Sequence, residues 1–243
     1  MKVLLVDDHP LILAALQSVI QGLGDHVSVR GVETAEAARE ALTEDDSYDL
    51  VLLDLALGET DGFEVLAELR QTWPAIPVVV VSASERVSDV IHAIDLGAMG
   101  FVPKRTSNEY LFEALRLVMN GGLYVPPSML GLDVFAQPPG STDAPEVLRR
   151  LAEHAEAEPH QKKVTLESIG LTPRQTEVLQ LLLQGLPNKL IARQLNVSVE
   201  TVKDHVAAVL RALNVSSRTQ AVLAVSQMTQ GQGGFSTRRS VAN

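Results

Sequence analysis

The stretch "KVLLVDDHPL", residues 2–11, decides how the first half of this chain folds. Residues 3–6 form a short apolar run of the length of a buried strand, and helical periodicity begins again at Leu11. Between the two stand adjacent carboxylates, Asp7 and Asp8. Neighbouring carboxylates repel each other and resist leaving water, so a strand that ends in them calls for a cation close by.

Outward from this stretch, the pattern repeats. Short apolar runs at 3–6, 27–29, 50–53, 78–81 and 101–102 alternate with helical patterns near 11–21, 35–42, 63–71, 87–96 and 109–119. Such alternation predicts a doubly wound parallel sheet of five strands with helices on both faces. Pro103, directly after the last strand, suits an edge position, where a missing N–H costs little.

In such a sheet ligands collect at the carboxyl ends of the strands. The first strand ends at Asp7 and Asp8, the third at Asp54, the fourth at Ser82, and Lys104 follows the fifth. Any one of these alone is explained by a turn, a helix cap or a solvated charge. Together they place three carboxylates, a hydroxyl and an ammonium on one rim. Three carboxylates make a hard oxygen site, and Mg2+ suits a few carboxylates completed by water and a phosphate.

Composition narrows the classes. The 243 residues contain no cysteine, which excludes disulfides, thiolate zinc sites and cysteine nucleophiles. No apolar run approaches the roughly 18 residues of a membrane span. No secretory signal pattern follows Met1, so a soluble, cytoplasmic protein is expected. The net charge of −10 is unevenly spread: residues 1–125 carry −12, 126–169 carry −3, 170–228 carry +3 and 229–243 carry +2. That asymmetry predicts two domains with different partners, the second suited to nucleic acid.

After about Asn120 the sequence turns to breakers, in "GGLYVPP" and "AQPPGSTDAP". The expected organisation is a first domain at 1–122, a partly helical linker at 123–168, an all-helical domain at 169–228 and a disordered tail at 229–243. Within the linker, "EVLRRLAEHAEAE" reads either as a solvated connector helix or as a docking or dimer-forming one. The second domain shows no strand signal and four helical segments, 173–183, 189–195, 199–213 and 217–228. Thr172 before Pro173, and Ser198, are N-caps. Leu190, Ile191 and Leu195 form an apolar face, Asn196 makes a turn, and Val202, Val206 and Val209 pack the next helix. Glu200, Lys203, Asp204 and Ala207 are then expected to face outward.

The motifs "LLVDDHPL", "VLLDLAL…DG", "VVVVSA" and "GAMGFVPK" resemble the receiver domain of two-component response regulators, the opening especially that of the NarL/FixJ family. The resemblance implies a flavodoxin-like receiver in which Asp54 is the phosphoacceptor. It implies that Asp8, Asp54 and the Ala56 carbonyl bind Mg2+, with Asp7 assisting through water. Lys104 would pair with the phosphoryl group, Ser82 would be the switch hydroxyl, and Phe101 the coupled aromatic. Where the family often has a proline shortly after the phosphoacceptor, Leu57-Gly58 stands here, so a more mobile loop is expected. Arg105 replaces the proline that often follows the lysine. His9 is read as a common neighbour in the family rather than a base or ligand.

Residues 171–222 resemble the LuxR-type helix-turn-helix of the same regulators. A recognition helix reads the major groove near its N-terminal end, which makes Thr201, Lys203, Asp204 and His205 DNA-binding candidates, and the resemblance implies Lys189 and Arg218 as well. With six basic residues in this domain, one copy should bind weakly, so a homodimer is expected on DNA. Val222, Leu223 and Val225 are the candidate dimer contacts.

The expected function is a transcriptional regulator that a sensor histidine kinase phosphorylates at Asp54. Its expected partners are promoter DNA, a second copy when phosphorylated, and RNA polymerase. Competing readings are a DNA-binding regulator whose receiver ignores phosphate, a protein-binding adaptor, and a phosphatase. The last lacks a second acid two residues after Asp54, where Ala56 stands.

Overall fold

The computed structural model describes residues 1–126, except 25 and 46, and residues 170–230. The linker helix and the tail beyond 230 fall outside the described residues. The receiver runs β1 (Lys2–Val6), α1 (Pro10–Gln21), β2 (Ser28–Val32), α2 (Ala35–Glu44), β3 (Leu50–Leu53), β4 (Ala56–Leu57), β5 (Thr60–Asp61), α3 (Gly62–Thr72), β6 (Val78–Ser82), α4 (Val87–Asp95), β7 (Gly100–Pro103) and α5 (Asn108–Met119). The main sheet has five strands in the order β2-β1-β3-β6-β7, all parallel.

Its central strands are apolar throughout because helices cover both faces. Leu4, Val6, Val51, Leu53, Val78 and Val80 pack on one side, with α2, α3 and α4. Val3, Leu5, Leu50, Leu52, Val79 and Val81 pack on the other, with α1 and α5. Residues read from sequence as linker extend this core. Tyr124 accepts from the Phe101 amide and donates to the Met99 carbonyl, running beside β7, and Val125 is buried.

The segment after β3 that holds Leu57-Gly58 has a strand pairing of its own. Ala56 pairs with Asp61 and Leu57 with Thr60 in a short antiparallel hairpin. Gly58 turns it at φ +62°, and its amide donates to Asp8 Oδ2 at 2.9 Å. Gly62 starts α3 so close to the hairpin that a Cβ there would stand 2.3 Å from the Leu55 Cα, a contact only glycine avoids.

The second domain comprises α6 (Pro173–Leu183), α7 (Asn188–Leu195), α8 (Val199–Ala212) and α9 (Arg218–Gln230). Thr172 and Gln175 close a capping box on α6, and Ser198 caps α8 by accepting from the Thr201 amide. Asn196 takes the left-handed conformation, φ 53°, that ends α7 and turns the chain into α8. Val178, Leu182, Ile191, Val202, Val206, Val209 and Leu210 make the core. Three expectations need correction. Leu190 is 45% exposed, because α7 turns Ile191 and Ala192 inward instead. Ala207 is half-buried against the core rather than outward. Val225 is buried with that core, leaving Val222 and Leu223 exposed.

The two domains are in contact. Receiver Ala75 joins the core cluster of the second domain, and Asn188 Nδ2 donates to the Ala75 carbonyl at 3.4 Å.

Candidate functional site

The parallel register brings the strand ends to one rim. β1 and β3 pair Val6 with Leu53, so Asp7 and Asp54 emerge side by side, and the Asp54 amide donates to the Val6 carbonyl at 2.9 Å. β6 and β7 pair Ser82 with Pro103, and the Lys104 amide donates to the Ser82 carbonyl at 2.7 Å. Lys104 Nζ then reaches Asp54 Oδ2 at 2.6 Å and Asp7 Oδ2 at 2.7 Å. Lys104 thus supplies a cation to Asp7, the first of the opening pair, while Asp8 faces His9 instead.

Asp7 and Asp54 are each 1% exposed. Asp7 Oδ1 accepts from the His9 amide at 3.0 Å, and Asp8 Oδ1 lies 2.5 Å from His9 Nδ1. Burial raises the Asp54 carboxyl above its ordinary range, although Lys104 and the Ala56 amide pull it back. Burial works against the Lys104 charge, but its bonds to Asp54 and Asp7 outweigh that and hold the ammonium above its ordinary value. Asp54 Oδ1 is buried with no hydrogen-bond partner. Candidate ligand atoms of Asp7, Asp8, His9 and Asp54 lie within 4.8 Å of one another. A buried, unsatisfied carboxylate oxygen amid three acids fits a small, hard cation.

Ser82, 4% exposed, accepts from the Ser84 amide at 3.1 Å, and Phe101 is fully enclosed in the sheet core. The hydroxyl and the ring therefore sit one strand apart, on β6 and β7, beside the acidic rim.

The DNA-reading candidates do not form one exposed face. Lys189 and Asp204 are exposed, and Thr201 and His205 half-buried. Lys203, expected outward, is only 7% exposed. It pairs with Glu200 at 3.2 Å and lines a cavity of about 320 Å3 between the domains, whose far wall includes receiver residues Met1, Asp49, Met99 and Met119. Lys189 and Arg218 line the same cavity. Arg218 turns into its own domain, donating to the Leu186 carbonyl at 2.8 Å and to Asn188 Oδ1. Lys203 thus faces the receiver across this cavity, a placement that depends on both domains together.

The sequence matches two known families. Residues 3–116 match the response regulator receiver domain, and residues 170–225 match the bacterial regulatory proteins of the luxR family. The chain is a two-component response regulator of the NarL/FixJ family, a receiver joined to a LuxR-type DNA-binding domain. Among its relatives, the glycerol metabolism activator of Pseudomonas putida is 34% identical over 227 residues, covering 93% of this chain and 96% of that one. The nitrate/nitrite response regulator NarL of Escherichia coli K12 is 32% identical over 225 residues, covering 93% and 94%. A solved structure of the RcsB response regulator of Salmonella typhimurium shares the fold, with a TM-score of 0.50 at 22% identity over 93% of this chain and 99% of that one. Among the described residues no helix is long and apolar enough to cross a membrane.

Proposed function

We propose that Asp54 accepts a phosphoryl group from a sensor histidine kinase and that this modification controls promoter binding by the LuxR-type domain. The observation that carries the reading is the Asp54 carboxylate itself. One oxygen is held by Lys104, and the other is buried and unpartnered beside Asp8.

Phosphoryl transfer to a carboxylate asks for position and charge neutralisation more than for acid–base chemistry. An Asp54 oxygen attacks phosphorus, the bond from phosphorus to the donor nitrogen breaks, and the imidazole leaves with a proton. Lys104 is anchored by Asp7 and can follow the new negative charge. Mg2+ would be held by Asp8, Asp54 and the Ala56 carbonyl, with Asp7 through water, and would neutralise the transferring oxygens. Ser82 exchanges the Ser84 amide for the phosphoryl group, and Phe101 repacks with it. Ala56 supplies no acid to drive hydrolysis, which supports a regulator over a phosphatase.

The covered state of Lys203 and the inward turn of Arg218 support a resting chain whose DNA-reading helix is occluded. In the released chain Lys189, Thr201, Lys203, Asp204, His205 and Arg218 would serve DNA. A homodimer would place two such helices on half-sites about one DNA turn apart.

Incubation with acetyl phosphate and Mg2+ tests the chemistry. Intact mass should rise by one phosphoryl group in the wild type and stay fixed in Asp54→Ala. A phosphorylated Asp54→Ala protein would move the acceptor elsewhere.

A further inference from the structure

Between the domains lies a buried cation that the acidic rim does not use. Arg70 sits on α3 four residues after Leu66, on the buried stripe of that helix, and is 2% exposed. Its Nε and Nη2 donate to the Ser216 carbonyl, across the seam, at 3.0 and 2.6 Å. The same guanidinium donates to the Pro74 and Ile76 carbonyls of its own domain. All these acceptors are neutral. No ion pair links a carboxylate to Arg70 among the described residues, and the charge of Arg218, which acts on it, has the same sign. Burial, then the Arg218 charge, pull the Arg70 guanidinium down to about 10.

Ser216 is held from a second direction. Gln220 Oε1 accepts from the Ser216 amide at 2.8 Å, and Gln220 Nε2 donates to the Asp95 carbonyl at 2.8 Å. The Ser216 hydroxyl lies 3.3 Å from the Leu96 carbonyl and 2.9 Å from Gln220 Oε1, so its one proton serves either. Gly97, at φ +99°, lets the chains approach this closely, since a Cβ there would stand 2.6 Å from Ser216 Oγ. Asp95, Leu96 and Gly97 are the C-terminal end of α4 and the turn after it. At the other end of α4, Ser84 Oγ donates to Asp89 Oδ2 at 2.6 Å, while the Ser84 amide is the donor now held by Ser82. One helix therefore joins the switch hydroxyl to the Ser216 contact.

We propose that Arg70 is the latch that keeps the DNA-binding domain docked, gripping the Ser216 carbonyl, and that α4 carries the release signal from Ser82 to that grip. This rests on the regulatory reading above and adds the residue that couples the two domains. A carboxylate in place of the carbonyl would bind the guanidinium far more tightly. A neutral acceptor leaves a contact that a small displacement of α4 can undo.

The full chain, unphosphorylated and in Mg2+, provides the test. Radius of gyration by small-angle X-ray scattering reads docking, and affinity for a random-sequence DNA duplex at low salt reads exposure of the basic face. Arg70→Met should expand the chain and tighten duplex binding by roughly tenfold, within the usual range of such couplings. Beryllofluoride should then add little. Gln220→Ala, on the other domain, should expand the chain in the same direction but less. A folded Arg70→Met protein with the wild-type radius overturns the latch. Should Arg70→Met fail to fold, Gln220→Ala decides, and a wild-type radius there overturns it equally. If the variants expand but neither they nor the beryllofluoride-treated wild type bind duplex, the latch stands and the DNA-binding reading fails.

Discussion

Lys104 is a partly buried cation of the receiver and Arg70 a fully buried one, and their surroundings treat them in opposite ways. Lys104 meets two carboxylates within 2.7 Å, and its charge is held on more firmly than in water. Among the described residues Arg70 meets carbonyl oxygens and the like charge of Arg218, and its charge is held less firmly. Neutralised charges fix a geometry, as a site for phosphoryl transfer requires. A buried charge left on neutral dipoles keeps its contact near the point of release. Under the proposed latch, the rim stays while the seam opens.

Removing each cation should expose that difference. Lys104→Met leaves Asp7 and Asp54 buried side by side without a counter-charge. Urea unfolding in the presence of a chelator should show the receiver destabilised by about 3–5 kcal/mol. Millimolar Mg2+ should return part of the loss. A variant as stable as the wild type would mean that the carboxylates are neutral in the folded protein, and the contrast would dissolve.

Gly97→Ala tests the seam without touching either cation. The left-handed backbone should cost about 1–2 kcal/mol of receiver stability, and the new Cβ should push Ser216 away. Scattering should report an expanded chain while acetyl phosphate still modifies Asp54. An unexpanded Gly97→Ala chain would show that the seam tolerates intrusion and is stiffer than the comparison holds.

The smallest effect belongs to Lys203, which pairs with Glu200 at the seam. Lys203→Met removes an enclosed charge and leaves Glu200 unpaired, so it should cost about 1 kcal/mol of stability. In the beryllofluoride-treated chain it should lower the slope of log affinity against log salt by about one. An unchanged slope would remove Lys203 from the DNA contacts.

The difference between rim and seam also explains what the sequence reveals. Asp7, Asp54, Ser82 and Lys104 could be placed together because each ends or follows an apolar run, and parallel strands bring their ends to one edge. The helix-turn-helix was legible from Thr172, Asn196, Ser198 and the spacing of Val202, Val206 and Val209. The hairpin at Ala56–Leu57 and Thr60–Asp61 escaped notice, being two residues a side and lacking any apolar alternation. Arg70 stood in "ELRQTW" as an ordinary helix arginine. Its spacing of four from Leu66 was the available sign that it lies on the buried stripe. The place of Lys203 in the cavity between the domains had no local sign at all, since the other wall includes receiver residues as distant in sequence as Met1 and Asp49.

The most direct measurement is sedimentation velocity of the full chain in Mg2+, with and without beryllofluoride, for the wild type and Asp54→Ala. Beryllofluoride should release the wild type from its docked form into a more extended species that pairs into dimers, while Asp54→Ala should sediment alike in both conditions. A wild type whose sedimentation and frictional ratio do not respond would contradict control of the seam through Asp54.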